Sequence, residues 1–104
     1  MKAIIDGKRY NTETATEIAE WWNGRGYSDF GYCKEKLYKT TKGSFFLAGE
    51  GGALSRYAQS CGDRSTCGGE QIIPMTDDEA KTWLEQHNEM EALETCFSAV
   101  LQDA

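Results

Sequence analysis

The side chains best suited to chemistry gather around a glycine-rich stretch, residues 49–69. Cys61 and Cys67 lie inside it with Arg64 between them, and Glu50 and Glu70 bracket it. A cysteine attacks as its thiolate, and a nearby positive charge such as that of Arg64 favours the thiolate. Two carboxylates that meet in space can divide the roles of acid and base. Nothing in the sequence itself brings Glu50 to Glu70. His87 is the only histidine, and it falls on the apolar side of a predicted helix, where packing is expected rather than activation of a nucleophile. Gly49-Glu50-Gly51-Gly52 follows a strand, as a phosphate loop would. Leu54, however, stands where the GxGxxG pattern needs its last glycine, and no Gly-Lys-Ser/Thr follows. Cys61 and Cys67 are separated by five residues, too many for an ordinary zinc pair. The expectation is a non-enzyme without metal or cofactor. A small enzyme, or a thiol- or metal-dependent protein using Glu50, Cys61, Cys67 and Glu70, is the alternative.

Two other features point to binding. Trp21, Trp22, Tyr27, Phe30 and Tyr32 fall within twelve residues, beside Asn23-Gly24 and Gly26. Any of these left exposed by the core suits a protein–protein hot spot, where Trp and Tyr are enriched. The second feature is charge. The net charge is −6, but residues 1–76 carry ten basic and nine acidic side chains, whereas residues 77–104 carry Lys81 against eight acidic ones. Such a tail repels phosphates, so direct nucleic-acid binding is not expected. It attracts a basic protein surface. Glu85, Glu89, Glu91 and Glu94 are the candidate steering residues, and Trp21, Trp22, Tyr27 and Phe30 the candidate anchors. The plain alternative is a solvated acidic helix face with the aromatics in the core.

The elements that must position these groups are legible in outline. Asp6-Gly7 between 3–5 and 8–10 predicts a two-residue hairpin turn with positive φ at both positions. Residues 12–15 read as one capped turn, followed by a strand over 17–23 and a loop over 23–31. A second hairpin joins Cys33–Lys39 to 44–48, with Gly43 at a left-handed turn position. Phe45 and Leu47 line one face of the return strand and Phe46 the other, so that strand is expected to be covered on both sides. Residues 49–69 read as irregular, with a short helix over 53–58. Gln71-Ile72-Ile73 is a short strand that Pro74 ends or places at an edge. Thr76-Asp77-Asp78-Glu79 is a capping box opening a helix with Ala80, Trp83, Leu84 and His87 buried. Asn88 ends it. A last helix over 89–102 carries Met90, Leu93, Phe97, Val100 and Leu101 on its apolar face.

These elements predict a single α+β domain, an antiparallel sheet of hairpins with C-terminal helices packed on it. Its first 75 residues are mainly β and residues 76–104 form the acidic helical part. A chain of 104 residues can bury a modest core without covalent staples. No apolar run spans a membrane and no signal peptide is read at the start, so a cytoplasmic location is expected. There the four cysteines stay reduced or form at most a local Cys61–Cys67 bridge. A homodimer through the last helix is a third possibility.

The motifs Lys36-Leu37-Tyr38-Lys39-Thr40, Gly43-Ser44-Phe45-Phe46-Leu47, Gly49-Glu50-Gly51-Gly52, Gly68-Gly69-Glu70 and Ile72-Ile73-Pro74 resemble a family of small uncharacterised bacterial proteins. That family is often encoded in phages and other mobile elements. Tyr10-Asn11-Thr12-Glu13-Thr14-Ala15 and Glu79-Ala80 extend the resemblance over about residues 4–88. It brings no catalytic residues with it. The resemblance implies a mobile-element setting, where small acidic proteins include anti-CRISPR inhibitors. By that analogy of setting and charge the partner is a nucleic-acid-processing complex, most sharply a CRISPR effector blocked by binding.

Overall fold

The structure, a computed structural model, describes residues 1–99 and 101. Strands β1 (Lys2–Ile5) and β2 (Lys8–Asn11) form the first hairpin. Asp6 and Gly7 have φ of 51° and 76°, the positive pair that a type I′ turn requires. Residues 12–15 form the expected turn, capped by Asn11. The Asn11 side chain accepts from the Glu13 amide at 2.9 Å, and its carbonyl accepts from Ala15 at 3.1 Å.

A four-stranded antiparallel sheet follows, built from β3 (Thr16–Trp22), β4 (Cys33–Lys39), β5 (Phe45–Gly51) and β8 (Gly69–Met75) in that spatial order. The small hairpin of β6 (Gln59–Gly62) and β7 (Ser65–Cys67) lies between β5 and β8 in the chain. Helices α1 (Asp77–Gln86) and α2 (Met90–Phe97) close the fold. The molecule is thus an α+β protein with antiparallel sheets and two C-terminal helices packed on them.

Side-chain alternation divides the sheet into two faces. On one, Ala19, Leu37, Phe45 and Leu47 pack with Ala80, Trp83 and Leu84 of α1, and Leu93, Cys96 and Phe97 of α2 close over them. Phe97 stacks on Phe45 with ring centroids 5.5 Å apart. On the other face, Tyr38, Phe46, Ala48 and Ile72 pack under Tyr10, Ala3 and Ile5 of the first hairpin. Full burial of Phe46, Leu37, Leu47 or Leu84 contributes about 1.5–3 kcal/mol each. The central strand β5 is covered on both sides, as its sequence predicts.

The structure corrects four expectations. Residues 53–58 form no helix. They make two successive turns in which Ser55 Oγ donates to the Gly52 carbonyl at 2.8 Å and accepts from the Tyr57 amide at 3.1 Å. A serine that satisfies nearby backbone groups in this way competes with helix formation. Residues 59–67 are a hairpin rather than irregular chain, turning at Arg64, whose φ is 62°. Met90 is 70 % exposed and does not join the apolar face of α2. That helix ends at Phe97. The expectations for Val100 and Gln102 lie outside the described residues.

The α1 capping box is formed as the sequence requires. Thr76 Oγ1 accepts from the Glu79 amide at 3.1 Å, and Glu79 Oε1 accepts from the Thr76 amide at 2.9 Å. Asp77 and Asp78 add negative charge at the positive helix end. Replacing Thr76 by Ala should therefore lower the free energy of unfolding by about 1 kcal/mol in urea denaturation.

Candidate functional site

The ends of β3 and β5 and the starts of β4 and β8 meet at one end of the sheet, and three connections crowd there. The first is the loop from Asn23 to Tyr32. Asn23 closes it, donating from Nδ2 to the Gly31 carbonyl at 2.7 Å and accepting at Oδ1 from the amides of Arg25 and Cys33, each at 3.2 Å. Trp22 Nε1 donates to the Arg25 carbonyl at 2.7 Å. The second connection, residues 52–58, lies against the first. The Leu54 amide donates to the Phe30 carbonyl at 2.7 Å and the Gly52 amide to the Tyr32 carbonyl at 2.9 Å. A Cβ on Gly52 would meet the carbonyl oxygens of Asp29 and Phe30, so only glycine permits this approach. The β6–β7 hairpin is the third, tied on through a 3.2 Å bond from Thr66 Oγ1 to the Ala53 carbonyl.

A buried carboxylate pins this end to the rest of the fold. Glu35 is in phase with Cys33 and Leu37 on the helix-covered face of β4, and it is 2 % exposed. Trp83 Nε1 of α1 donates to its Oε1 at 3.1 Å. Its Oε2 accepts from the Tyr57 hydroxyl and from Arg56 Nη1, the latter at 3.0 Å. Three donors from two elements thus satisfy a charge that would otherwise be costly to bury. Burial and the Glu35 carboxylate together push the Tyr57 hydroxyl far above its ordinary pKa, which keeps its proton in place as a donor. Burial, then Glu35, also raises the Cys33 thiol. The Tyr57 ring lies over Gly49, where any Cβ would overlap it.

His87 completes the same side. Its ring lies 4.9 Å from that of Trp21 and 4.5 Å from that of Trp83. Burial lowers its pKa from the ordinary 6.5, against the opposing pull of Glu35 and Glu89.

The expected anchors therefore separate. Trp21 is half-buried, packed against the helix-side core and stacked on His87. Trp22, one residue on, faces the other way and is 52 % exposed. Tyr27 and Phe30 are 81 % and 67 % exposed, and Leu54, not among the expected anchors, is 76 % exposed. Trp22 at the end of β3, and Tyr27, Phe30 and Leu54 on the hydrogen-bonded connections beside it, thus stand exposed at this end of the sheet. The acidic candidates lie on the helices. Glu85 pairs with Lys81 at 3.3 Å. Glu89 is half-buried beside His87, and Glu91 and Glu94 are exposed. None of these three has an ion-pair partner among the described residues.

Glu50 and Glu70 do meet. They are direct cross-strand partners of β5 and β8, on the face opposite Glu35. With Tyr27, Tyr32, Gly51, Gly68 and Gly69 they line a cavity of about 300 Å³. Burial, then the neighbouring Glu50 carboxylate, raises the Tyr32 hydroxyl pKa. Cys61 and Cys67 are free thiols, and hydrogen bonding to the Cys61 thiol, then burial, raises the Cys67 pKa rather than activating it. No group of three or more metal-ligating side chains occurs among the described residues. No helix among them is long and apolar enough to cross a membrane. Compared with known protein families, with curated proteins and with solved structures, the chain finds no match.

Two measurements check this geometry. Glu35→Ala strands the donors of Tyr57 and Trp83 and should cost about 3–5 kcal/mol of stability. Trp83→Phe, which removes the indole N–H together with part of the buried ring, should cost at least about 1–3 kcal/mol by urea denaturation. For His87, the unfolded chain takes up a proton at a higher pH than the folded one. Its contribution is intact above about pH 6.5 and is lost as the pH falls through the lower folded value. The free energy of unfolding should therefore fall as the pH drops below about 6.5, and His87→Gln should flatten that slope.

Proposed function

We propose that the chain is a non-catalytic protein-binding inhibitor, in its sharpest form an anti-CRISPR protein from a phage or mobile element. In that reading it acts in the bacterial cytoplasm, on a CRISPR effector complex whose nucleic-acid binding or assembly it blocks. The observation that supports binding is the platform of Trp22, Tyr27, Phe30 and Leu54. Side chains this large, exposed at one end of the sheet on and beside hydrogen-bonded connections, are what protein hot spots are made of. Pre-ordering matters because little conformational entropy remains to be lost on docking. The CRISPR half of the reading is supported by the resemblance to mobile-element proteins and by the negative helices. Unpaired Glu89, Glu91 and Glu94 would raise the encounter rate with a basic surface.

The experiment is a titration of purified CRISPR effector complexes with the protein, reading target-DNA binding and co-elution at two salt concentrations. The inhibitor should abolish DNA binding by one complex. Trp22→Ala and Phe30→Ala should each weaken it at least about tenfold, the loss of a hot-spot side chain, Phe30→Ala with an unchanged unfolding midpoint. Reversing Glu85, Glu89, Glu91 and Glu94 together should slow association and remove its salt dependence. Undisturbed DNA binding by every complex tested would remove the CRISPR reading. Aromatic variants that inhibit as well as the parent would remove the platform.

A further inference from the structure

We infer that the cleft between Tyr27, Tyr32, Glu50 and Glu70 seats an arginine side chain of the protein that docks on the neighbouring aromatic platform. The inference rests on the binding reading above and assigns its charged contact to the sheet rather than to the helices.

Strand pairing sets up the cleft. Successive rows of the face that carries the first hairpin are Tyr38–Phe46–Pro74, Lys36–Ala48–Ile72 and Lys34–Glu50–Glu70. The buried cluster under the hairpin takes its members from the first two rows, and the third lies beyond it. Lys34 stands opposite Glu50 on the β4 side, but its ammonium is 3.5 Å from Glu20 on β3. Neither Glu50 nor Glu70 has an ion-pair partner among the described residues. Like charges directly opposite in an antiparallel pair are destabilising, so the fold holds an unfavourable pair at its open end.

The remaining walls match a guanidinium. The backbone of Gly51, Gly68 and Gly69 forms part of the lining. A Cβ at Gly51 would meet Ser55 Oγ and Cβ before the Tyr32 carbonyl, and one at Gly68 the Gly51 carbonyl, so this stretch admits no side chain. Tyr27 and Tyr32 stand with ring centroids 5.5 Å apart and tilted by 58°, and they supply aromatic faces beside the carboxylates. No basic residue lines the cavity. A planar cation with several fixed donors can bond both carboxylates while its flat face lies on a tyrosine ring. A cavity of about 300 Å³ holds one such side chain, and Trp22 and Tyr27 extend the contact to the rest of the partner. The docking protein is thereby expected to present an arginine beside an apolar patch.

The test uses acetyl-arginine-methylamide as probe and its citrulline analogue, which has the same shape without the charge. In amide NMR titrations of the intact protein, Gly51, Gly68 and Gly69 should shift saturably with the arginine probe and not with citrulline. Glu50→Gln and Glu70→Gln should each weaken the probe at least fivefold. Both should raise the thermal unfolding midpoint, because each relieves the like-charge pair; a carboxylate kept for structure would move it the other way. Equal shifts with citrulline, shifts confined to residues 85–94, or a lowered midpoint in either variant would overturn the assignment. With the docking partner in hand, loss of capture in Trp22→Ala and Phe30→Ala but not in the double glutamine variant would overturn the cleft and keep the platform. Unchanged capture in all of them would overturn both.

Discussion

The carboxylate of Glu35 is the contact on which the arrangement of this protein turns. It comes from a central strand, and its donors come from the loop after β5 and from α1. Without it the loop has no charged tether to the sheet, and Trp83 has no partner for its indole N–H. The three bonds are unequal. Arg56 is more than half exposed, so water screens its pairing, whereas Tyr57 and Trp83 act in a dry site where an orphaned donor is costly. Removing one partner from a buried, hydrogen-bonded charge of this kind is strongly destabilising, because it leaves the others unsatisfied. Gly49 belongs to the same device, since its missing Cβ is the space that the Tyr57 ring fills.

From that pin the structure reaches the surface in two directions. On the helix side, Trp21, His87 and Trp83 stack into the core and fix the corner between α1 and α2. On the opposite side, Trp22, Tyr27 and Tyr32 stand beside Glu50 and Glu70. A single strand supplies both sides, because neighbouring residues of β3 point in opposite directions. Asn23 then reverses the chain with its side chain, and the loop it closes carries Tyr27 and Phe30 as a shaped surface. The negative charge of the C-terminal segment divides similarly. Asp77, Asp78 and Glu79 serve helix initiation and Glu85 is paired, which leaves Glu89, Glu91 and Glu94 as the unpaired carboxylates of the described helices.

Much of the fold was legible because local chemistry and hydrophobic period agreed. Asp6-Gly7, Gly43 and the Thr76–Glu79 box each dictate their turn or cap with little help from tertiary contacts. The hairpin of β6 and β7 was not legible. Its residues are nearly all exposed, so no alternation of apolar side chains betrays it, and its turn rests on Arg64 rather than glycine. The helix expected over 53–58 fails because Ser55 and the pull of Glu35 on Arg56 and Tyr57 override a weak local preference. Glu35 itself left a trace: a charged residue in phase with Cys33 and Leu37 on a buried face. Its partners lie 21 to 48 residues away, beyond any local pattern. The meeting of Glu50 with Glu70 depends on the register of two strands that 17 intervening residues separate, which spacing alone does not determine.

The two borders of the main sheet bear on how anything can approach this molecule. Along β3 the register shifts between Glu17 and Ala19, and Glu17 and Glu20 point outward in ion pairs with Lys36. Along β8, Pro74 has no N–H to offer a neighbour. Irregularity, charge and proline each frustrate the zippering of a foreign strand onto a free border. Recognition that proceeds by ladder extension, and the runaway stacking that can accompany it, is therefore disfavoured at both margins. A visiting surface is left with the tip of the sheet and its uncovered flank, where it must fit side chain against side chain.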